Sequence, residues 1–272
     1  MERNVVMLLT IDIGNTNMVF GIYKDEEMLG SFRLSTNSTA TSDEVGIMVV
    51  SYFERFGYRA EDLKACIIGS VVPQVMYSVT SAIIKYFGVE PLVVGTDVDT
   101  GLKFDKRCYE TGRLGTDRAI NCIAALEKYG GPFVILDFGT ATTIDAVGPD
   151  GIYLGGTIGP GLQVSLDALV SRTAMLPRVE LQMPQTVLGR NTVEQIQAGV
   201  VAGYVGNMEY LIHQVMEEMN CDGIKVIATG GLSRMIAQQT DRINIVDSML
   251  TMDGLRMIYD ANRDAKPVEV KN

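Results

Sequence analysis

A short acidic-glycine turn occurs twice in this chain, each time between two runs of strand-forming residues. It reads Ile11-Asp12-Ile13-Gly14-Asn15-Thr16-Asn17 near the start and Leu136-Asp137-Phe138-Gly139-Thr140-Ala141-Thr142 at the midpoint. The apolar runs 5–13 and 132–138 precede the two copies, and the β-prone runs 18–23 and 142–147 follow them. A single Asp-x-Gly is common at hairpin turns and reads as structural. Two copies at the same place in a strand-turn-strand unit point instead to a duplicated ligand-binding element. Glycine lets backbone N–H groups approach a ligand closely, and the neighbouring Asn or Thr adds side-chain hydrogen bonds. The aspartate repels a phosphate, so its expected task is to hold a cation or a water beside one. Two such turns facing each other across a cleft are expected to hold the phosphates of a nucleotide from both sides.

A length of 272 residues suits two domains, and 47% hydrophobic residues supply a core for each. The expected division is an N-terminal domain over residues 7–130, a C-terminal domain over 131–263 and a polar tail over 264–272. No apolar run reaches the ~18 residues of a membrane span. The first few residues lack the longer charged and apolar regions of a secretory signal, so a cytoplasmic location is expected. The net charge of −10 argues against nucleic acid or an anionic membrane as partner, since both need clustered Lys and Arg. Cys66, Cys108, Cys122 and Cys221 show no CxxC spacing and are expected as reduced thiols. The one histidine, His213, lies in a helical pattern and is read as a surface or packing residue.

The pattern predicts strands at 7–13, 18–23 and 28–34, and then a helix from a Thr41-Ser42-Asp43-Glu44 capping box to about Phe56. A strand at 65–70, a helix at 72–87 and a strand at 91–94 follow. Residues 95–114 carry no period and read as a functional loop, and a helix spans 115–129. The second half repeats the order: strands at 133–138, 142–147 and 152–157, helices at 162–173 and 192–219, and a strand at 225–229. A helix near Leu232, a strand at 243–246 and a helix at 251–263 complete it. The fold class expected is α/β, with β-β-β-α-β-α in each half.

At Gly115-Thr116-Asp117-Arg118, a glycine and a small polar residue open a helix whose first N–H groups favour an anion. An aspartate there can accept the proton of an attacking hydroxyl, and an adjacent arginine can pair with a carboxylate.

The duplicated arrangement resembles the acetate-sugar kinase, Hsp70 and actin superfamily, whose two ribonuclease-H-like (actin-like ATPase) domains close on ATP. Neither GxxxxGK[ST] nor GxGxxG occurs in the chain. Within that superfamily the motifs are similar to those of the type III pantothenate kinase family. Asp-x-Gly-Asn-Thr stands at 12–16, and Gly-Ala-Asp-Arg stands at 115–118 with Thr116 for alanine. Asp-x-Gly-Thr-Ala-Thr-Thr-x-Asp is intact at 137–145. Gly-Gly-x-Ile-x-Pro-Gly-Leu stands at 155–162, and Gly189-Arg190-Asn191-Thr192 and Ala228-Thr229-Gly230-Gly231 match later elements. The family's Asn-Pro pair is absent, and its upstream tyrosine position falls on Cys108, one residue from Tyr109.

The resemblance implies ATP-dependent phosphorylation of pantothenate, the entry step of coenzyme A synthesis, with Asp117 as general base. It implies ATP contacts from Asp12, Ile13, Gly14, Asn15, Thr16, Asn17, Met18, Val19 and Thr140. Substrate contacts are implied for Gly115, Thr116, Asp117, Arg118, Thr192 and Tyr109. Asp137 would bind a monovalent cation, potassium or ammonium, and magnesium would arrive with ATP. The resemblance also implies a homodimer built on second-half helices. Two alternatives stay open: a kinase of this fold for another small hydroxyl compound, and a nucleotide-binding regulatory homologue without turnover. The presence of Asp12, Asp117, Arg118 and Asp137 counts against the second.

Overall fold

The computed structural model describes residues 7–108 and 114–263. Its elements in chain order are β1 (Met7–Ile13), β2 (Asn17–Lys24), β3 (Glu27–Ser35), α1 (Ser42–Arg55), β4 (Leu63–Ser70), α2 (Pro73–Phe87), β5 (Leu92–Val93) and β6 (Lys103–Phe104). They continue with α3 (Thr116–Tyr129), β7 (Phe133–Phe138), β8 (Ala141–Val147), β9 (Ile152–Pro160), α4 (Leu162–Ser171), α5 (Thr192–Gln197) and α6 (Gly203–Met219). The last are β10 (Lys225–Thr229), α7 (Ser233–Ala237), β11 (Ile245–Val246) and α8 (Leu250–Ala261).

The elements form two compact units. In the first, the sheet order is β3-β2-β1-β4-β5. β1 is antiparallel to β2 and parallel to β4. Adjacent residues of β1 are buried on opposite faces, which marks an interior strand covered on both sides. On one face Leu9, Ile11, Ile13 and Phe20 pack with Val49 and Phe53 of α1 and with Val79 and Ile83 of α2. On the other, Leu8, Tyr23 and Ile67 pack with Ile120 of α3 and with Leu255 and Ile258 of α8. The capping box forms as expected: Glu44 N–H donates to Thr41 Oγ1 at 3.2 Å, and Thr41 N–H donates to Glu44 Oε2 at 2.7 Å.

In the second unit the order is β11-β10-β7-β8-β9-β6. Without β6 this is the first sheet's order again, with β7, β8, β9, β10 and β11 in the places of β1, β2, β3, β4 and β5. The duplication read from the two turns is therefore a duplication of sheet topology. Its core joins Val134, Leu136, Phe138 and Ile144 to Val201, Val205, Met208 and Ile212.

Several boundaries differ from expectation. The loop after β5 contributes the two-residue strand β6, parallel to the edge of β9, which is too short to show a period. β9 extends to Pro160, and the helix at 192–219 is interrupted by a π-helical stretch, Ala198–Ala202.

The units are also not consecutive halves. One gathers the described residues within Met1–Leu102, Gly112–Ala124 and Met249–Asn272, and the other those within Lys103–Thr111 and Ala125–Ser248. The boundaries expected at 130/131 and 263/264 therefore do not mark these units. The cause is packing. The apolar stripe of α8 (Met252, Leu255, Ile258) buries itself against β1 and β4 of the first unit, although α8 follows β11 in sequence. All four cysteines are free; Cys66 and Cys122 are buried, and burial pushes the Cys66 thiol up. No helix among the described residues is long and apolar enough to cross a membrane.

Candidate active site

The first hairpin is closed by the Ile13–Met18 pair, with Asp12 opposite Val19. Gly14 N–H donates to Asn17 O at 3.0 Å across the turn. Thr36, the first residue after β3, pins the turn twice: its N–H donates to Thr16 O at 2.9 Å and its hydroxyl to Gly14 O at 2.6 Å. Asn15, Thr16 and Asn17 stand exposed at the tip, and Asp12 and Gly14 are half-buried behind them. Ile13 and Met18 are core residues, so only their main chain is available to a ligand; Val19 is half-buried on the opposite face, against the α3 and α8 side.

The second constellation of this unit is the start of α3. Gly69, the β4 register partner of Asp12, leaves no room for a side chain. A Cβ there would lie 2.6 Å from Ile120 Cδ1, 3.2 Å from Leu255 Cδ2 and 3.8 Å from Thr116 Cγ2. The first turn of α3 therefore lies over the ends of β1 and β4, on the side where Asp12 points. The Asp117 carboxylate folds back over the helix start, accepting the Arg118 N–H at 2.8 Å. A Cβ on Gly115 would sit 2.6 Å from that same Asp117 oxygen, so the posture of the carboxylate requires glycine at 115. Gly115, Thr116, Asp117 and Arg118 are all half-buried. As neighbours on a helix, Asp117 and Arg118 project about 100° apart and are free for separate tasks.

The second unit carries the second hairpin, pinned in the same way. Gly139 N–H donates to Ala141 O at 3.1 Å. Gly161, the first residue after β9, donates its N–H to Thr140 O at 3.0 Å, as Thr36 does for Thr16. A Cβ on Gly161 would lie 2.4 Å from Gly139 O and 2.5 Å from Thr140 O. Gly230, with φ +88°, closes on the hairpin from β10, where a Cβ would meet Asp137 Oδ1 at 2.5 Å and Phe138 N at 2.7 Å. Thr140 is exposed at the tip, and Asp137 is half-buried.

Thr143 pairs directly with Asp137 across β7 and β8, so both side chains leave the sheet on one face. Among the described residues its buried hydroxyl has no hydrogen-bond partner. An orphaned oxygen beside a carboxylate is the donor set that suits a hard cation. Below the hairpin, on the core side, the hydroxyls of Thr142 and Tyr204 are bonded.

Thr192 lies apart from these contacts on its own element, exposed in the first turn of α5. That turn is ordered by Asn191, whose Oδ1 accepts the Glu194 N–H at 3.0 Å, and by Glu194, which accepts the Arg190 N–H at 2.8 Å. Tyr109 falls outside the described residues. His213 is exposed on α6, as expected of a surface residue. Thr36, Thr143 and Tyr204 bond to or pair with the hairpins and were not anticipated. Position could have indicated Thr36, as the polar residue just after the third strand, but nothing local marks Tyr204.

A family model described as type III pantothenate kinase matches residues 8–214. Among solved structures, one described as a Baf family transcriptional activator from Campylobacter jejuni aligns with TM-score 0.58 at 20% identity, over 94% of this chain and 99% of that one. One described as a 2-dehydro-3-deoxygalactonokinase from Sinorhizobium meliloti gives 0.56 at 12% identity, over 97% and 100%. The ethanolamine utilization protein EutJ from Carboxydothermus hydrogenoformans gives 0.54 at 13% identity, over 92% and 89%. At such identities these likenesses speak for the fold alone: the duplicated actin-like ATPase architecture expected from the repeat.

Proposed function

We propose, because the chain belongs to the type III pantothenate kinase family, that it transfers the terminal phosphoryl group of ATP to the primary hydroxyl of pantothenate. A kinase of this family needs a nucleotide-phosphate element, a proton acceptor and a group that recognises the substrate's carboxylate. The observation that carries the reading is the placement of all three candidates in one unit: the first turn of α3, with Asp117 and Arg118, lies on the Asp12 side of the first hairpin's strands.

Asp117 is assigned the proton. Its carboxylate accepts the hydroxyl proton as the oxygen attacks phosphorus. Exposed Asn15, Thr16 and Asn17 of the first hairpin, and Thr140 of the second, are assigned to the phosphates of ATP. Asp137 and the orphaned Thr143 hydroxyl fit a monovalent cation, potassium or ammonium, which would supply positive charge beside those phosphates. Magnesium is assigned to the nucleotide itself. Thr192 is retained as a substrate contact on the family pattern and Tyr109 as one lying a single residue off it, and a cytoplasmic homodimer is the proposed working form. The direct test is ATP-dependent phosphorylation of pantothenate; a purified chain inactive on pantothenate but active on a sugar would overturn the substrate assignment.

Two predictions test single side chains. Arg118 is assigned the substrate carboxylate, which a planar guanidinium holds bidentately and an ammonium meets only as a point charge. Losing one such contact costs about 1.5–3 kcal/mol, so Arg118→Lys is expected to lower kcat/KM for pantothenate roughly tenfold to a hundredfold with KM for ATP nearly unchanged. Pantothenamides, which lack the free carboxylate, are expected to be poor substrates of the parent protein and to lose little more. An equal loss on acid and amide would reassign the arginine.

The second concerns the cation. The parent protein is expected to be activated by potassium or ammonium over sodium, and Asp137→Ala to be slow and indifferent to all three. Equal rates in the three salts would remove the cation from the site.

A further inference from the structure

Tyr204 has no place in the chemistry assigned above, yet it touches both arms of the second hairpin. Its ring packs against Phe138 on the incoming arm, with centroids 6.2 Å apart at 57°. Its hydroxyl is bonded to that of Thr142 on the outgoing arm. Both residues are buried, Thr142 to 2% and Tyr204 to 8% exposure, so the bond is sealed from water and each hydroxyl depends on the other. Burial, the largest cause, pushes the Tyr204 phenol up against the opposing effect of its bond to Thr142, with the nearby Asp137 charge adding to the rise.

The helix brings the tyrosine there by an irregular route. The π-helical stretch Ala198–Ala202 immediately precedes α6. A wider turn rotates the helix after it relative to the helix before it, and such insertions gather at functional sites. From Val201 within it onward, Val201, Tyr204, Val205, Met208 and Ile212 form one stripe facing the core beneath the hairpin.

We infer that Tyr204 is a positioning residue for the second phosphate-binding hairpin, fixing the tip at Thr140 from below through its bond to Thr142, while Gly161 fixes it from the side. The inference rests on reading that hairpin as an ATP contact. It predicts an effect on nucleotide affinity that is separable from the bond's contribution to stability.

The experiment compares Tyr204→Phe, Thr142→Val, Thr142→Ser and the Tyr204→Phe/Thr142→Val pair. Affinity for a non-hydrolysable ATP analogue is read by titration calorimetry, both KM values by kinetics, and Tm by calorimetry. Tyr204→Phe and Thr142→Val each leave one buried hydroxyl orphaned, so each is expected to lower Tm and to weaken the analogue about three- to thirtyfold. KM for pantothenate is expected to stay within about twofold, and Thr142→Ser, which keeps the hydroxyl, to restore analogue affinity. In the pair no polar group is orphaned, so Tm recovers, yet the support from below the tip is gone and the analogue still binds weakly.

A pair that recovers affinity along with Tm, or single variants that lose Tm alone, would show a purely structural bond and overturn the inference. A parent protein that binds the analogue without phosphorylating pantothenate would reject the proposed reaction while leaving this effect on affinity to be read. A parent that does not bind the analogue would overturn both.

Discussion

Asp117→Asn is expected to fold normally and to lose about 10²–10⁴-fold in turnover with pantothenate, the range for removing a general base. The amide keeps the size of the carboxylate and can still accept the Arg118 N–H, the 2.8 Å bond that sets the side chain's posture. Gly115, which leaves room for that posture, is untouched. What disappears is the capacity to take a proton from the attacking hydroxyl. The loss is therefore expected in kcat, with KM for ATP and Tm close to those of the parent. Near-parental turnover in a folded variant would move the proton to another acceptor. A fall in Tm comparable to the loss of activity would mean that Asp117 mainly caps α3.

Gly161→Ala is expected to disturb the structure more than Asp117→Asn does, although it adds one methyl group. The φ of Gly161 is −66°, which any residue adopts, so backbone strain is not at issue. The added Cβ would instead fall 2.4 Å from Gly139 O and 2.5 Å from Thr140 O, both main-chain atoms of the second hairpin. Neither can rotate away as a side chain would, so the hairpin or the start of α4 has to move, and the Gly161 N–H to Thr140 O bond goes with it. Overpacking of this kind costs about 1–3 kcal/mol in stability. A shift of about 1 Å at the tip is enough to cost roughly a hundredfold in rate, with KM for ATP rising. The two measurements are kinetics with ATP as the varied substrate and thermal unfolding. A variant with parental KM for ATP would detach the hairpin tip from nucleotide binding.

Much of the architecture was legible because its signals are local. Asp-x-Gly between two apolar runs specifies a hairpin, and its recurrence at 137–139 foretold a second run of elements in the same order. The Thr41–Glu44 capping box fixed where α1 starts. Gly115-Thr116-Asp117-Arg118 was legible as a helix start bearing an acid and a base, because helix polarity and side-chain direction follow from sequence position alone.

The sequence by itself thus determined most of the elements, their duplicated order and the candidate residues at the two hairpins and the start of α3. Three things were decided only by the tertiary structure. α8 joined the first unit because burying Met252, Leu255 and Ile258 against β1 and β4 outweighs proximity in sequence to β11. Ile13 and Met18 turned out to be core residues, since on a strand buried on both faces alternation no longer tells which neighbour meets the ligand. The two tips are packed against by Thr36, Gly161, Gly230 and Tyr204 from positions as distant in sequence as Gly230 is from Asp137 and Tyr204 from Phe138. Hydrogen bonds and backbone approaches of that kind leave no periodic trace in the chain. They arise only when packing brings distant segments within a few ångströms of each other.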